Sequence, residues 1–289
     1  MFAEKVAEYT DGRYEVQIFP SGSLANDPKA IELLQLGGID FTVSATGSYA
    51  THMPTLNLTA MPFLVDTYEQ GWELYDNSEW LQGEFAKLPE KGFRVLSTWE
   101  AGFRSFTTNE PLNSPEDAKS MKMRVFPNDM IRWSMEAIGF QTVVMPITDV
   151  YISIQQGIVN GQENPVGVIY NNGLHQLQKY MTLDGHVYAA DFIVVSDEFF
   201  QTLTAPQQEV VTRAAIVAGN MGRSIQQWTT AQGVLSVQDE GMQVYSPTAE
   251  ELAMFAEKAQ PAVVEFLRGE LGENAIWIDE LQSAVAATQ

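Results

Sequence analysis

Two arginines, Arg104 and Arg124, stand 20 residues apart in a chain where 37 acidic residues outnumber 16 lysines and arginines. Each sits among apolar neighbours: Arg104 in WEAGFRSFTTN with Trp99, Phe103 and Phe106, Arg124 in MKMRVF. A guanidinium is a planar fork of N–H donors that can hold a carboxylate through two parallel, charge-assisted hydrogen bonds. In MKMRVF, strand alternation places Met121, Met123 and Val125 on one face and Lys122 and Arg124 on the other. Arg124 therefore lies either on a solvated cationic face or in a cleft where it could grip an acid. Arg104 either stacks on its aromatic neighbours as packing or supplies a second cation for the same anion. A third stretch, GIVNGQENPVG at 157–167, brings Asn160, Gln162, Glu163 and Asn164 together between apolar runs. It reads as a helix end followed by a polar turn. Alternatively it is the wall of a cleft, with Asn164 facing a ligand while Gln162 and Glu163 fix the backbone or orient Arg124.

Other chemistries lack their signatures. There is no GxGxxG, Walker loop or GxSxG elbow, and His52, His175 and His186 have no metal-ligand spacing. Cysteine is absent, which removes disulfides, thiolate metal sites and cysteine nucleophiles. No metal or cofactor is expected. A net charge of −21 would repel nucleic acid and anionic membrane. Eight of the 16 basic residues nevertheless fall between Lys87 and Arg132, where an anionic ligand could be held. With so many acidic residues, a secreted glycoside or ester hydrolase using a carboxylate pair is the rival reading.

The elements that must position these residues alternate. Phe2, Val6 and Tyr9 mark a helix, YEVQIF a strand, and NDPKAIELLQLGG a helix with Asp27 as N-cap and Pro28 at its first position. IDFTVSAT reads as a strand buried on both faces. Helix at SEWLQGEFAKL, strand at FRVLSTWEAGF, a short helix capped by Ser114, strand at MKMRVF, helix at DMIRWSMEAIG, strand at QTVVMP and helix at TDVYISIQQG follow. VYAADFIVVS is a long strand and MQVYS a short one, and Thr248 with Glu251 forms a capping box. The pattern predicts an α/β fold with a mainly parallel sheet. Residues 204–241 lack a strong break and predict one helix of about 50 Å, long enough to brace two domains. The chain opens inside a helix, as though a leader and a first strand precede it.

Taken in order, GSLANDPKAIELLQLGGIDFTV, MPFLV, GFRSFTTN, PEDAKSMKMRV, TDVYISIQQGIVNGQENP and the long glutamine-rich helix resemble the extracytoplasmic solute-binding proteins of TRAP transporters, of the dicarboxylate-receptor type. The resemblance covers essentially the whole chain, and the span from KMRV to GQENP is its most specific part. It implies an α/β, two-lobed periplasmic solute-binding protein fold (type II-like) with an interlobe cleft and a long bracing helix. Lobe I would comprise residues 1–101 and 190–232, and lobe II residues 102–189 and 233–270. Residues 271–289 would pack across both.

The same resemblance assigns the ligand carboxylate to Arg124, a hydrogen bond to Asn164, and in some members a further contact to Arg104. Thr46 and Ser48 would stand at the mouth of the first lobe, Phe63 would form an apolar wall, and Trp99, Glu100 and Asp191 would lie near the interlobe crossings. RVFPND departs from the commoner form, in which proline directly follows the valine, and leaves open whether Asn128 or Asp129 faces the ligand. The implied function is capture of a small organic acid anion by lobe closure and delivery to TRAP membrane permease subunits, driven by a sodium gradient. The receptor would be periplasmic, monomeric, made as a signal-peptide-bearing precursor, and not an enzyme. A uronate, an aldonate, a C4-dicarboxylate, a 2-oxo acid or ectoine would suit the family; Glu100 and Asp191 favour a hydroxyl-rich acid because they can accept hydroxyl hydrogen bonds.

Overall fold

The computed structural model describes residues 1–286. The first third of the chain forms α1 (Phe2–Tyr9), α2 (Asp27–Gln35), β1 (Phe41–Ala45), α3 (Tyr68–Asn77), α4 (Glu79–Phe85) and β2 (Phe93–Thr108). The middle forms α5 (Pro115–Ala118), β3 (Lys122–Val125), α6 (Asp129–Ile138), β4 (Gln141–Val144), α7 (Val150–Gln155), β5 (Gly161–Pro165), α8 (Val166–Asn171), β6 (Tyr180–Thr182) and β7 (Tyr188–Ser196). The remainder forms α9 (Asp197–Thr202), α10 (Ala205–Asp239), β8 (Gln243–Tyr245), α11 (Ala249–Leu271) and α12 (Ile276–Ala286). Residues 287–289, the end of the expected C-terminal segment, lie outside the described residues.

Local chemistry sets most of the boundaries. Thr248 with Glu251 closes the expected capping box of α11, and the expected Ser114 cap of α5 is itself a capping box with Asp117. At α2 the cap is one residue earlier than expected: the Asn26 side chain accepts from the Lys29 amide, and Asp27 takes the first helical position. The long helix is continuous over 35 residues, opened by a Thr204–Gln207 capping box.

The sheet is mixed rather than mainly parallel. Its strands run in the order β1-β7-β2-β5-β3-β4, with β6 bridging β2 and β8. The β3–β4, β3–β5 and β6–β8 pairs are parallel. The pairs made by the two long strands are antiparallel, because β2 and β7 run in opposite directions between the two ends of the sheet. β2 changes partner along its length: residues 93–103 pair with β7 and residues 104–108 with β5. The register shifts between Glu100 and Gly102, whose φ of 98° suits a residue without Cβ.

Three other expectations change. Residues 14–19 form no strand; alternation supplies two faces but no partner backbone, and Ile18 remains 65% exposed. β1 is not buried on both faces, since Val43 is 55% exposed. GQENP is a strand, not a turn, and every residue in it is buried.

α10 lies against both regions served by β2. A methyl group on Gly219 would come within 2.5 Å of the Thr98 carbonyl oxygen, and Gly233 faces Val166 of α8. Gly219→Ala should therefore destabilise the protein by about 1–3 kcal/mol in urea titration, because backbone must move to admit the methyl. Gly83→Ala in α4 meets nothing within 4 Å and should stabilise by about 0.5–1 kcal/mol.

Candidate functional site

Where β2 exchanges partners, a cavity of about 1780 Å³ opens. Its walls include Asp27 from α2, Ser44 and Ser48 near β1, Trp99 and Arg104 of β2, Arg124 and Phe126 at the end of β3, Asn164 of β5 and Asp191 of β7. Ligand pockets for small molecules usually enclose about 300–1,000 Å³. Part of the larger volume here runs along residues 14–22.

Arg124 is a buried and incompletely satisfied cation in this wall. Its side chain is 1% exposed, its Nε donates to the Met145 carbonyl oxygen at 3.0 Å, and its Nη1 is buried without a hydrogen-bond partner. Burial lowers its pKa to about 10 against the opposing pull of Glu163, so it is cationic at neutral pH but poorly compensated. An anion in the cavity would satisfy both deficits.

The polar strand β5 organises the second arginine. Glu163 accepts from Arg104 Nε and, at 2.9 Å, from Arg104 Nη2, which also reaches the Glu163 carbonyl oxygen at 2.7 Å and Asn164 Oδ1 at 3.1 Å. Asn164 Nδ2 donates to Gln162 Oε1 at 2.5 Å, and Gln162 Nε2 donates to Thr107 Oγ1 at 2.6 Å. Glu163 thus orients Arg104, not Arg124. Behind it stands His186, stacked on Phe106 with centroids 4.5 Å apart, its Nδ1 2.8 Å from Asp184 and its Nε2 3.2 Å from Glu163. Four buried ionisable groups therefore run in a line: Arg104, Glu163, His186 and Asp184.

Burial alone would raise the Glu163 pKa, but Arg104 and His186 overcome it and hold the carboxyl at about 2. Burial would lower His186, yet Asp184 and then Glu163 raise it to about 9. The stability His186 contributes is complete below its unfolded pKa of about 6.5 and is lost as pH rises through about 9. Glu163 acts with the opposite sign: its contribution is complete above about pH 4.3 and is lost as pH falls toward about 2. Urea titrations should show lower stability at pH 10 than at pH 7, and His186→Gln should flatten that decline.

Of the residues expected at the site, the cavity brings together Arg104, Arg124, Asn164, Trp99, Asp191 and Ser48. Asp191 is partly accessible there, and burial, reinforced by Asp27 and opposed by Arg104, raises its pKa to about 7.

Four expected residues are placed elsewhere. Glu100 faces away because Trp99 and Ala101 take the cavity side of β2; its Oε2 accepts from Trp72 at 2.6 Å and Tyr188 at 3.2 Å. Thr46 is enclosed with Thr59 and Tyr75, 3.1 and 3.3 Å from their hydroxyls. Phe63 packs against the main apolar core while its amide donates to the His186 carbonyl oxygen at 2.7 Å. Asn128 caps α6 through the Ile131 amide at 3.0 Å, and its Nδ2 donates to the Gly47 carbonyl oxygen at 3.1 Å and Asn57 Oδ1 at 3.0 Å.

Asp27 and Phe126 line the cavity without having been singled out for it. Asp27 reads as a helix cap in the sequence, and only the path of α2 brings it here. Among the described residues no cluster of three or more His, Asp or Glu could hold a metal ion.

Comparison with known proteins gives this geometry a context. The family model described as bacterial extracellular solute-binding protein, family 7, matches residues 1–269. A solute-binding protein of Verminephrobacter eiseniae is 31% identical over 84% of this chain and 72% of its own. The sugar acid binding protein of Advenella mimigardefordensis, solved with galactonate, superposes with a TM-score of 0.94 at 27% identity, covering 100% of this chain and 92% of that one. A TRAP periplasmic solute binding protein from Sulfitobacter sp. NAS-14.1, solved with β-D-galacturonate, has a TM-score of 0.92 at 30% identity, over 98% and 93% of the two chains.

Proposed function

The chain belongs to the bacterial extracellular solute-binding proteins of family 7, the periplasmic receptors of TRAP transporters, and on that premise we propose that its cavity captures a small organic acid, of sugar-acid type, for the membrane permease. The observation that carries this is the buried Arg124 guanidinium, which lines the cavity with Nη1 unpartnered and no carboxylate paired to it among the described residues. Arg124 clamps the ligand carboxylate, Arg104 and Asn164 donate beside it, Trp99 walls the site, and Asp191 and Ser48 take hydroxyl groups. The relatives solved with galactonate and galacturonate support a sugar acid here. They also favour a receptor over a hydrolase, since members of this family bind solutes rather than transform them.

In this reading residues 1–101 and 190–232 form one lobe and residues 102–189 and 233–270 the other. The partner change in β2 and the return of β7 mark the crossings, and α10 braces both. A ligand that touches both lobes stabilises the closed arrangement by its differential affinity, which is all that closure requires. The cavity is built by one chain, so a monomer suffices for binding.

A thermal-shift screen with organic acids tests the reading. A ligand at a hundredfold excess over its Kd should add about 2.7 kcal/mol of stability. Indifference to every acid, or turnover of a sugar derivative, would sink it.

A further inference from the structure

The charges around the cavity do not balance as a receptor for dicarboxylates would need. Its lining contains two arginines, Arg104 and Arg124, and five carboxylates: Asp191, half-buried, and the exposed Glu15, Asp27, Glu32 and Asp40, of which Glu32 is paired with Lys29 at 2.7 Å. His52 also lines it, but burial lowers its pKa and leaves it neutral at pH 7. The charge of Arg104 is already matched: Glu163 takes both its Nε and its Nη2. The protonated His186 behind them is matched by Asp184 at 2.8 Å. Counted over this buried line, two cations meet two anions. Arg124 is then the single lining cation that no carboxylate pairs among the described residues.

Arg104 is not thereby idle. Its Nη1 makes no hydrogen bond within the described residues, so it can donate to a hydroxyl or to the far oxygen of a carboxylate already held by Arg124. It cannot neutralise a second negative charge without competing with Glu163. Asp191 on β7, once ionised above its pKa of about 7, opposes such a charge further, and the exposed Asp27 of α2 adds to it. They are well suited to accept hydrogen bonds from ligand hydroxyls.

We propose that the cavity selects acids carrying one carboxylate and several hydroxyls, and rejects the dianion of the same skeleton. The proposal rests on the receptor reading above and narrows its ligand class. Like charges brought together in a partly desolvated site cost several kcal/mol, whereas a lone carboxylate on Arg124 meets no such penalty.

The test compares acids that differ only in whether one CH2OH is oxidised to a carboxylate: galactonate with galactarate, glycerate with tartronate, and 4-hydroxybutyrate with succinate. Calorimetry at physiological salt and pH 8.5, above the Asp191 pKa of about 7 so that this carboxylate is ionised, should show the monoanion of any pair that binds at least about tenfold tighter than its dianion, since each tenfold step needs only about 1.4 kcal/mol. Asp191→Asn should narrow that gap at least about threefold by removing one opposing charge. A dianion that binds as tightly as its monoanion overturns the selection while leaving the receptor reading intact. An unchanged gap in Asp191→Asn overturns the part assigned to that carboxylate. No binding by any acid overturns the receptor reading itself.

Discussion

Arg124→Lys should lose more than tenfold in affinity for whichever acid the protein binds. The arginine contributes two separable features. Its Nε is tied to the Met145 carbonyl oxygen at 3.0 Å, which fixes the plane of the fork, and its Nη1 has no hydrogen-bond partner among the described residues. A lysine ammonium is a point charge on a flexible stem. It cannot anchor to the Met145 carbonyl and present two parallel donors at once. Burial adds to the loss, because desolvation that already brings the guanidinium down to about 10 would push an ammonium toward its neutral form.

Arg124→Met separates binding from folding. The free protein loses a buried, uncompensated cation, so its stability in urea should be unchanged or raised by about 1–4 kcal/mol, while acid binding is abolished. A variant that binds with native affinity would remove Arg124 from the site. A variant that loses several kcal/mol would show that the guanidinium serves the fold instead.

The sequence carried some of this geometry and withheld the rest for identifiable reasons. The 35-residue helix was legible because its capping pair and unbroken composition are local properties. Arg124 was legible as one of two alternatives, since alternation sets the face of a strand but not what that face meets. β5 was not legible as a strand. Glycine, asparagine and proline disfavour strands on their own, and the ladder that forms this one lies on β2, with Ser105 opposite Asn164 and Phe106 opposite Glu163. Glu100 and Trp99 could not be ranked either, because the irregular register between Glu100 and Gly102 breaks the simple period of two. Asn128 proves to be the N-cap of α6, a role the sequence reading did not assign to it. The resemblance left open whether Asn128 or Asp129 faces the ligand, whereas capping holds the Asn128 side chain against Gly47 and Asn57. His186 gave no signal at all, because its partners Asp184 and Glu163 are joined only through the fold.

The largest effect on stability should come from that last group. Glu163→Gln removes the carboxylate between two buried cations, stranding Arg104 and leaving His186 with Asp184 alone. Removing one partner of a buried ion pair typically costs about 3–5 kcal/mol, since the remaining charge keeps its desolvation penalty and loses its compensation. The same change made together with His186→Gln should cost less than the sum of the two, because both substitutions break the same 3.2 Å contact between Glu163 and His186. A coupling of at least about 1 kcal/mol in the double-mutant cycle is the expected signature, as the two side chains share one network. Strict additivity, or a loss below about 1 kcal/mol for Glu163→Gln alone, would mean that the line from Arg104 to Asp184 is not held together by charge. Arg104 would then need another source of order, and its charge would not be matched by Glu163.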